Sequence, residues 1–539
     1  MAYIKTLRAP FNFVPLNDKV YTPDWADKVS QDVPFSDGED GIIEVEFENL
    51  SPLFTRDGHS KDKKTNYSAH IVDKNGNKKY FIPSTTLKGM IRSNIEIMAF
   101  SKMSQYTDRF YGYRIFDSNQ SGGDEYRKNM ENVRGGWLQK YDGKYELYPC
   151  VKKIQPVRIN EILKIFPNYK KGRSSWQNNY SLGMYPEVPN GNEKWRLVCT
   201  GGMFSKKHEY LFSDETEDGF ELSDKEAKIF LTVNEPNPEF EKYIKYLNKG
   251  HQIAVFYLMN ENEEITAIGL SKMIRFPYKS NVKSIIDKQQ IKKDGLDLSE
   301  TIFGNANEND ALKGRIQFTH AFTDAFIKDS ELIQKKGVLG GPKASYYPLY
   351  LAQDGNKYHT YNNPVGISGR KKYRIHYNSE PTIPAGNGNE KTETTLKALP
   401  AKHKFVFRIN FHNMRKIEIG AILSALTFHL NSDAHHNVGQ AKGCGLGKLS
   451  KMHIQLKMLK YDIIDYIKAF ETEMNNWCKK NNIAPWVETI QVNQLIAIAR
   501  EHNNEDLSYM ELKEYGFYKR NKNFKKLKET IKPIKSLID

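Results

Sequence analysis

The sequence lacks the features that mark secreted, membrane-spanning or metal-stapled proteins. Its 539 residues include only four cysteines, far apart and without a CxxC pair: Cys150, Cys199, Cys444 and Cys478. This scarcity argues against structural zinc and a disulfide framework, and is typical of a reducing compartment. No run of about 18 apolar residues, the length needed to cross a membrane, is present. The N-terminal stretch MAYIKTLRAPFNF has no apolar signal segment, so we expect a cytoplasmic protein without membrane contact.

Acidic residues are outnumbered by basic ones. Lys and Arg total 80 against 65 Asp and Glu, which gives a net charge of +15 and a pI of about 9.2. This excess favours a polyanionic partner, most often nucleic acid, although lysine-rich proteomes reach such values without one. The hydrophobic content of 39% describes an ordinary soluble protein, and the length predicts more than one structural unit.

Hydrophobic patterns predict an α+β fold. Residues 41–48 alternate apolar and acidic side chains, as a half-buried strand does. Residues 81–100 predict a helix with a start signal at its proline and hydroxyl cluster. Residues 403–413, 417–430 and 449–456 then predict a strand, a helix and a strand. This order is the plan of a ferredoxin-like or RRM-like core with an antiparallel sheet.

Other segments interrupt or extend this core. We expect an extended, proline-containing arm at 1–40, a core from 41–100 and 262–455, a large insertion at 101–261, and a basic helical C-terminal extension at 456–539. The insertion mixes basic and aromatic residues, which can bind nucleic acid or simply form a loop-rich subdomain. The last 25 residues hold eight Lys or Arg against two acids, which is usually a solvated face.

The second half of the core contains weaker signals. LDLSETIFGN predicts a short helix that ends at Gly304, and a strand follows from Arg315. We expect an aromatic strand over Tyr346 to Leu351 and a mobile loop over 352–397. A basic patch, Arg370 to Arg374, lies within that predicted loop.

The stretch HHNVGQAKGCGLGKLS, residues 435–450, combines four glycines with two lysines, Lys442 and Lys448. Bare backbone amides beside ammonium groups suit phosphate. An ATP-binding P-loop does not fit, because the required first glycine falls on Lys442 and the required Ser or Thr falls on Leu449. A P-loop also runs from strand into helix, whereas this loop runs from helix into strand. The alternative is a glycine-rich turn that only packs tightly.

A second candidate anion site lies at the predicted helix of residues 81–100. Lys88 and Arg92 are four residues apart, so they share one face of the first turns. Like charges at that spacing repel each other. Beside the free amides of a helix N-terminus, however, they form a plausible anion site. Two solvated surface charges are the alternative.

Several motifs, in this order, resemble the RAMP superfamily of CRISPR-associated proteins. IPSTTLKGMIR, residues 82–92, resembles the family's IPGSSLKGxxR signature, and FGNANENDALKGRIQFTHA, residues 303–321, resembles its FG…GRxxFxDA segment. The strand, helix and glycine-rich loop of residues 399–449 resemble the family's end. APFNFVPLNDKV and GGPKASYYPLYL indicate a long, insertion-bearing branch related to type III backbone subunits. His320 departs from the pattern, because the family often has Asp there.

The resemblance implies an RNA-binding subunit of a type III-like CRISPR effector complex. It would grip the guide RNA (crRNA) backbone, help present target RNA and pack against other effector subunits, without a cofactor. The positions that the resemblance and the basic patch single out for RNA are Lys88, Gly89, Arg92, Arg370, Lys371, Lys372, Lys442, Gly443, Gly445, Gly447 and Lys448.

Two alternatives remain open. Some family members cut target RNA with an Asp in the loop after the first strand, with Mg²⁺ or another divalent metal, and the matching loop offers Asp57, Asp62 and Asp73. Others process guide precursors without metal, often with His, which would point to His59 or to the pair His435 and His436. Loop carboxylates and histidines are, however, usually just solvated. The further alternative is a protein–protein cap or scaffold of the complex.

Overall fold

The computed structural model describes most of the chain. The described residues are 6–58, 65–115, 123–167, 169, 185–190, 193–200, 206–237, 239–290, 295–307, 310–341, 343–353, 358–377, 380–386, 392–503, 507–520 and 524–538. They divide into two compact units, one built from Met1–Gln105, Ile285–Thr360 and Pro364–Asp539, and the other from Tyr106–Ser284 and Tyr361–Asn363. Among these residues, no helix is both long enough and apolar enough to span a membrane.

An antiparallel sheet, called the core sheet below, organises the first unit. Its strands lie in the spatial order His453–Lys457, Glu39–Glu48, Lys404–Met414, Ala321–Thr323, Lys78–Ile82 and His70–Val72, and Ile316–Phe318 also pairs with Lys404–Met414. Alternation sets its two faces, because Ile43, Val45 and Phe47 are at most 1% exposed while the glutamates between them are partly exposed. The predicted half-buried strand is therefore confirmed.

Helices cover the inner face of the core sheet. Ser84–Met98 and Lys416–Thr427 supply apolar side chains to the same buried cluster as the strands. Ile463–Lys480 packs closely on Lys416–Thr427, since a Cβ added at Gly420 would lie 2.0 Å from the Tyr466 carbonyl oxygen. Along the chain the order is three strands (Glu39–Glu48, His70–Val72, Lys78–Ile82), the helix Ser84–Met98, three strands (Ile316–Phe318, Ala321–Thr323, Lys404–Met414), the helix Lys416–Thr427 and the strand His453–Lys457.

Buried ion pairs and shorter elements complete the first unit. Arg315 and Glu418, both with fully buried side chains, form an ion pair, so neither charge is left unpaired. The other helices are Leu298–Phe303, Tyr347–Tyr350, Ile490–Ala499 and Leu512–Arg520, and the helix Val282–Gln289 begins in the second unit and ends in the first. The other strands are Phe11–Val14, Thr65–Tyr67, Gly304–Asn307, Asp310–Lys313, Ile333–Gly337, Arg370–Tyr373, Ile375–His376, Thr394–Ala398 and Glu501–His502.

The second unit has sheets and cores of its own. One sheet has the order Phe220–Glu221, Lys144–Pro149, Arg134–Tyr141, Ile253–Met259 and Ile265–Gly269, and another has Glu187–Asn190, Glu193–Val198, His208–Phe212 and Gln155–Arg158. Gly112–Tyr113 pairs with Phe276–Pro277. The helices are Gly123–Glu131, Ile159–Ile165, Asp224–Asn234 and Phe240–Leu247. Trp137 is buried against Phe212 and Tyr185, so this unit overlaps the predicted insertion and contains its own hydrophobic core.

The α+β class and the antiparallel sheets are confirmed, but three local predictions differ from the structure. Tyr347–Tyr350 forms one helical turn rather than a strand, because a proline in a first turn is pre-organised for helix. The predicted loop at 352–397 contains strands, including Arg370–Tyr373. The predicted arm contains the strand Phe11–Val14, which pairs antiparallel with Arg370–Tyr373. Pairing between these two distant segments explains why the predicted loop and the predicted arm contain strands, because local composition does not encode such pairing.

Candidate nucleic-acid interface

A cleft of about 590 Å³ in the first unit brings several predicted RNA-binding segments together. Its walls are the helix Ser84–Met98, the strand Arg370–Tyr373, the loop segment 435–442 and the end of the helix Ile490–Ala499. The polar groups among its lining residues are Thr55, Arg56, Thr85, Thr86, Ser93, Asn94, Lys371, Lys372, Tyr373, His435, His436, Asn437, Gln440 and Lys442.

The helix Ser84–Met98 presents small and hydroxylated residues to the cleft rather than its cations. Thr85, Thr86, Gly89 and Ser93 line the cleft, and the first turn contains no acidic residue, so the positive end of the helix dipole is not offset there. The structure thus places Gly89 of the predicted set at the cleft.

Lys88 and Arg92 instead contact Phe303. The Lys88 ammonium lies 5.8 Å and the Arg92 guanidinium 5.7 Å from the centre of that ring. Arg92 also pairs with Glu96 at 2.9 Å. Burial, assisted by Arg92, lowers the pKa of Lys88. Neither residue is among those that line the cleft, although both were predicted to contact RNA.

The basic patch lies on a strand that the N-terminal segment holds in place. Phe11 is the register partner of Tyr373, and Val14 is that of Arg370. Arg370 points into the protein, where it pairs with Glu96 at 2.6 Å and donates to the carbonyl of Ser101 at 3.1 Å. Its charge is therefore neutralised internally, and the structure does not bring it to the cleft.

Lys371, Lys372 and Lys442 line the cleft beside Tyr373 and Asn94. The Lys371 ammonium lies 5.3 Å and that of Lys442 lies 5.5 Å from the centre of the Tyr373 ring. Lys372 donates to the Asn94 side-chain oxygen at 2.6 Å. Within the part of the chain that the structure describes, no carboxylate forms an ion pair with any of the three. Such a cluster of like charges favours an anion between its members.

Burial lowers the pKa of all three lysines. It lowers the pKa of Lys372 to about 7, and Arg370 and Lys442 act in the same direction while Glu96 opposes them. Burial also lowers the pKa of Lys371, and burial together with Lys371 lowers that of Lys442. A bound phosphate would return these values toward normal, because an opposite charge stabilises the ammonium form.

The glycines of the 435–450 loop serve the packing of the loop itself. The amides of Gly445 and Gly447 donate to the carbonyls of Lys442 at 3.1 Å and Pro52 at 2.9 Å, and are therefore not available to a phosphate. Gly447 has φ of +79°, and a Cβ there would lie 1.9 Å from the Val438 carbonyl oxygen. Only glycine tolerates both conditions.

The other predicted loop positions lie away from the cleft. A Cβ at Gly443 would lie 2.8 Å from the Tyr509 hydroxyl, so this glycine also has a packing role. Lys448 is only 8% exposed and forms an ion pair with Glu501. Its amide donates to the Ser51 hydroxyl at 3.0 Å. An RNA contact at Gly443, Gly445, Gly447 or Lys448 stays a prediction without support from this geometry.

The candidate histidines differ in environment. His436 donates from Nε2 to the Leu426 carbonyl at 2.9 Å and packs on Phe428. Burial lowers the pKa of His436 to about 4, so its ring is neutral at neutral pH. His435 contacts the Leu449 carbonyl at 3.0 Å through Nδ1.

The candidate catalytic carboxylates are only partly described. Asp57 follows Arg56, which lines the cleft, and the Asp57 amide donates to the Tyr67 carbonyl at 2.8 Å. Asp73 accepts hydrogen bonds from the Asn75 and Asn77 amides, both at 2.8 Å, as a turn residue does. His59 and Asp62 lie outside the described residues. In the described ranges, no three His, Cys, Asp or Glu side chains come together as a set that could hold a metal ion.

Sequence reasoning missed Tyr373 and Asn94, which organise the lysine cluster. The strand Arg370–Tyr373 has the sequence RKKY, with three successive cations and no apolar alternation, so its residues carry no strand signal of that kind. Asn94 sits mid-helix with 2% exposure, and a buried polar residue of this kind requires a partner.

Comparison with family models supports the family resemblance of the sequence. A family model described as the RAMP superfamily matches residues 46–450. No curated protein sequence matches. Among solved structures, a chain of a type IV-B CRISPR complex is similar at TM-score 0.27 and 9% identity, covering 78% of this chain and 93% of that one. Csc2 of Thermofilum pendens is similar at TM-score 0.24 and 10% identity, covering 94% and 92%. A chain of the type III-B Cmr-beta complex bound to cognate target RNA is similar at TM-score 0.21 and 8% identity, covering 77% and 96%.

Proposed function

The chain belongs to the RAMP superfamily, and from this premise we propose that it is an RNA-binding subunit of a type III-like CRISPR effector complex. Its cleft grips the phosphate backbone of guide RNA. The observation that supports this proposal is the cluster of Lys371, Lys372 and Lys442, which no described carboxylate neutralises. The cluster lies between the two segments that resemble family motifs, the start of the helix Ser84–Met98 and the loop segment 435–442.

The chemistry of the cleft suits phosphate rather than base edges. Ammonium groups bind phosphate as point charges, and hydroxyls such as those of Thr85 and Thr86 bind phosphate oxygens. Contacts of this kind position the RNA without reading its sequence. Sequence recognition then comes from base pairing between guide and target, and other effector subunits pack along the same RNA.

The fold assignment under this proposal is a ferredoxin-like core. Its four strands are, in chain order, Glu39–Glu48, Ala321–Thr323, Lys404–Met414 and His453–Lys457, with the helix Ser84–Met98 between the first two and the helix Lys416–Thr427 between the last two. In the core sheet the fourth strand lies beside the first, followed by the third and then the second. Helices on one face leave the other face of the sheet open, which is also the plan of RRM-like RNA-binding domains.

Salt dependence of RNA binding tests the proposal. We expect the double variant Lys371→Ala/Lys442→Ala to bind single-stranded RNA more weakly and to lower the slope of log affinity against log salt by about 0.7 for each lost phosphate contact. Filter binding over a salt series measures this slope. The matched control is Lys479→Ala/Lys480→Ala, which removes two exposed lysines of the same unit and should leave the slope unchanged.

Equal slopes for the two double variants and the wild type would show that the cleft does not bind RNA. The endoribonuclease and scaffold alternatives stay predictions of the sequence. Among the candidate carboxylates, Asp57 directly follows Arg56, which lines the cleft. A scaffold without RNA contact would show no salt-dependent binding at all.

A further inference from the structure

We propose that the outer face of the core sheet is a second RNA contact, on which unpaired bases stack against Phe81, His320 and Phe322. This inference rests on the proposed function, since it concerns the same RNA. It differs in chemistry, because the cleft binds phosphate groups and this face binds bases. We call the three rings the aromatic platform.

The three rings form one cluster on adjacent strands. The ring centres of Phe81 and His320 are 4.7 Å apart, those of Phe81 and Phe322 are 5.4 Å apart, and those of His320 and Phe322 are 6.1 Å apart. Phe81 and Phe322 are register partners. Their neighbours Ile82 and Ala321 are fully buried. Because side chains alternate along a strand, the rings lie on the face opposite the helices.

The platform belongs to a larger apolar surface. Val406, the register partner of Phe322, is 41% exposed, and His320 is exposed as well. The departure of His320 from the family's Asp contributes to this surface, since a ring stands here in place of a carboxylate.

The charge around the platform favours a polyanion. The Lys79 ammonium lies 5.2 Å from the centre of the Phe322 ring. Two strands away from Phe322, the carboxylate of Glu44 is neutralised, since it pairs with Arg408 at 2.6 Å and with Lys457 at 3.1 Å. Stacked rings beside an ammonium group are the combination that binds single-stranded RNA without sequence preference.

A hydrogen bond connects the platform to the cleft. The Ser84 amide donates to His320 Nδ1 at 2.9 Å, which places the ring at the start of the helix Ser84–Met98. The adjacent residues Pro83, Thr85 and Thr86 line the cleft. One RNA strand can therefore bind through its phosphates in the cleft and stack its bases on the platform. This continuity favours RNA over a neighbouring subunit as the occupant.

Base removal distinguishes stacking from phosphate binding. We expect the full-length protein to bind a short single-stranded RNA about tenfold more tightly than the same RNA with abasic sites. Phe81→Leu/Phe322→Leu should lose this preference while keeping the salt slope and the melting temperature, because leucine preserves the apolar contacts but not the ring faces. Ile464→Ala, which changes an exposed apolar residue of the helix Ile463–Lys480, should keep the preference.

Each contrary outcome has a distinct meaning. If Phe81→Leu/Phe322→Leu keeps the base preference while Lys371→Ala/Lys442→Ala loses salt dependence, the inferred stacking on the platform is wrong. The proposed phosphate binding in the cleft is then still supported. If the phenylalanine variant keeps the preference but no longer co-purifies with a neighbouring effector subunit, the face is a protein interface and the inference fails. If the wild type binds neither RNA, the proposed function fails and this inference fails with it.

Discussion

At the scale of single residues, the partners of a cation decide whether its charge is available to RNA. Lys371, Lys372 and Lys442 face the cleft without a described carboxylate partner, whereas Arg370 and Lys448 are each held in an internal ion pair. An ion pair of partly buried groups is expensive to break. Removing Arg370 or Lys448 would therefore leave a carboxylate without its partner and destabilise the fold, although the sequence context of both residues is as basic as that of the other three.

Lys372 should make RNA binding depend on pH. Its pKa of about 7 in the folded protein means that the ammonium form prevails at pH 6 and the neutral amine at pH 8. We therefore expect RNA affinity to fall as pH rises across this range, and Lys372→Met to flatten the profile. Fluorescence anisotropy at constant ionic strength measures the profile. His435→Gln is the control, because His435 also lines the cleft, and a profile flattened only by this variant would contradict the assignment.

The lowered pKa of Lys372 also makes the stability of the fold depend on pH. The pKa of Lys372 is lowered on folding, so between about pH 7 and 10 the unfolded chain holds a proton that the folded chain lacks. The free energy of unfolding of the wild type should therefore rise with pH over this window relative to Lys372→Met. Below this window both states are protonated, and the difference between the two proteins becomes constant.

At the scale of elements, the 435–450 loop acts as a support for Lys442. The Gly445 amide donates to the Lys442 carbonyl, and the chain continues from there toward the edge of the core sheet. The strand Arg370–Tyr373 has a comparable support in Phe11–Val14. The lysine cluster is thus positioned by two backbone segments rather than by flexible side chains alone.

Gly445→Val should lower stability and RNA affinity together. Gly445 has φ of +91°, and a side chain in this region costs about 1–2 kcal/mol. The strain displaces the backbone that bears Lys442, so we expect a lower melting temperature than in the wild type and weaker RNA binding than in Lys448→Ala. Differential scanning calorimetry and filter binding on both variants measure this. Wild-type RNA affinity in Gly445→Val would show that the loop does not position the cleft.

A second glycine provides a control for this substitution. Gly58 has open space where a Cβ would be added, and its φ lies outside the left-handed region. Gly58→Val should therefore leave both the melting temperature and the RNA affinity close to those of the wild type. A loss of affinity in this variant equal to that of Gly445→Val would mean that the effect does not come from backbone strain.

At the scale of the whole molecule, the first unit contains the cleft, the platform and the large buried cluster that supports them. The second unit has separate clusters. The two chain segments that border the second unit meet within the first, since the Met103 amide donates to the Gln290 side-chain oxygen at 2.8 Å. A short linker could therefore close the first unit without residues 106–284.

Replacing residues 106–284 by a flexible glycine–serine linker should leave a folded protein with unchanged RNA binding. The physical reason is that the first unit keeps its core and its lysine cluster. Thermal unfolding should show one cooperative transition, and the salt slope should equal that of the wild type. A smaller slope would instead indicate that the basic and aromatic residues of the second unit contact RNA, as one interpretation of the sequence holds.

Local pattern was sufficient for the elements whose formation depends on near neighbours. Alternation predicted the strand Glu39–Glu48, and the apolar spacing after Pro83 predicted the helix Ser84–Met98. A glycine after an apolar turn predicted the end of the helix Leu298–Phe303, where Gly304 has φ of +87°. These signals lie within a few residues of the structure they specify, so one sequence carries them fully.

The sequence by itself determined the family motifs, the basic character and most of the core elements. Only the tertiary structure decided which cations share a cleft, because Glu96 neutralises Arg370 across 274 positions of chain. It likewise decided that Lys371 and Lys372 lie on a strand, since their partner is Phe11–Val14. Charge pairing and strand pairing depend on distance in space, and spacing along the chain does not contain that distance.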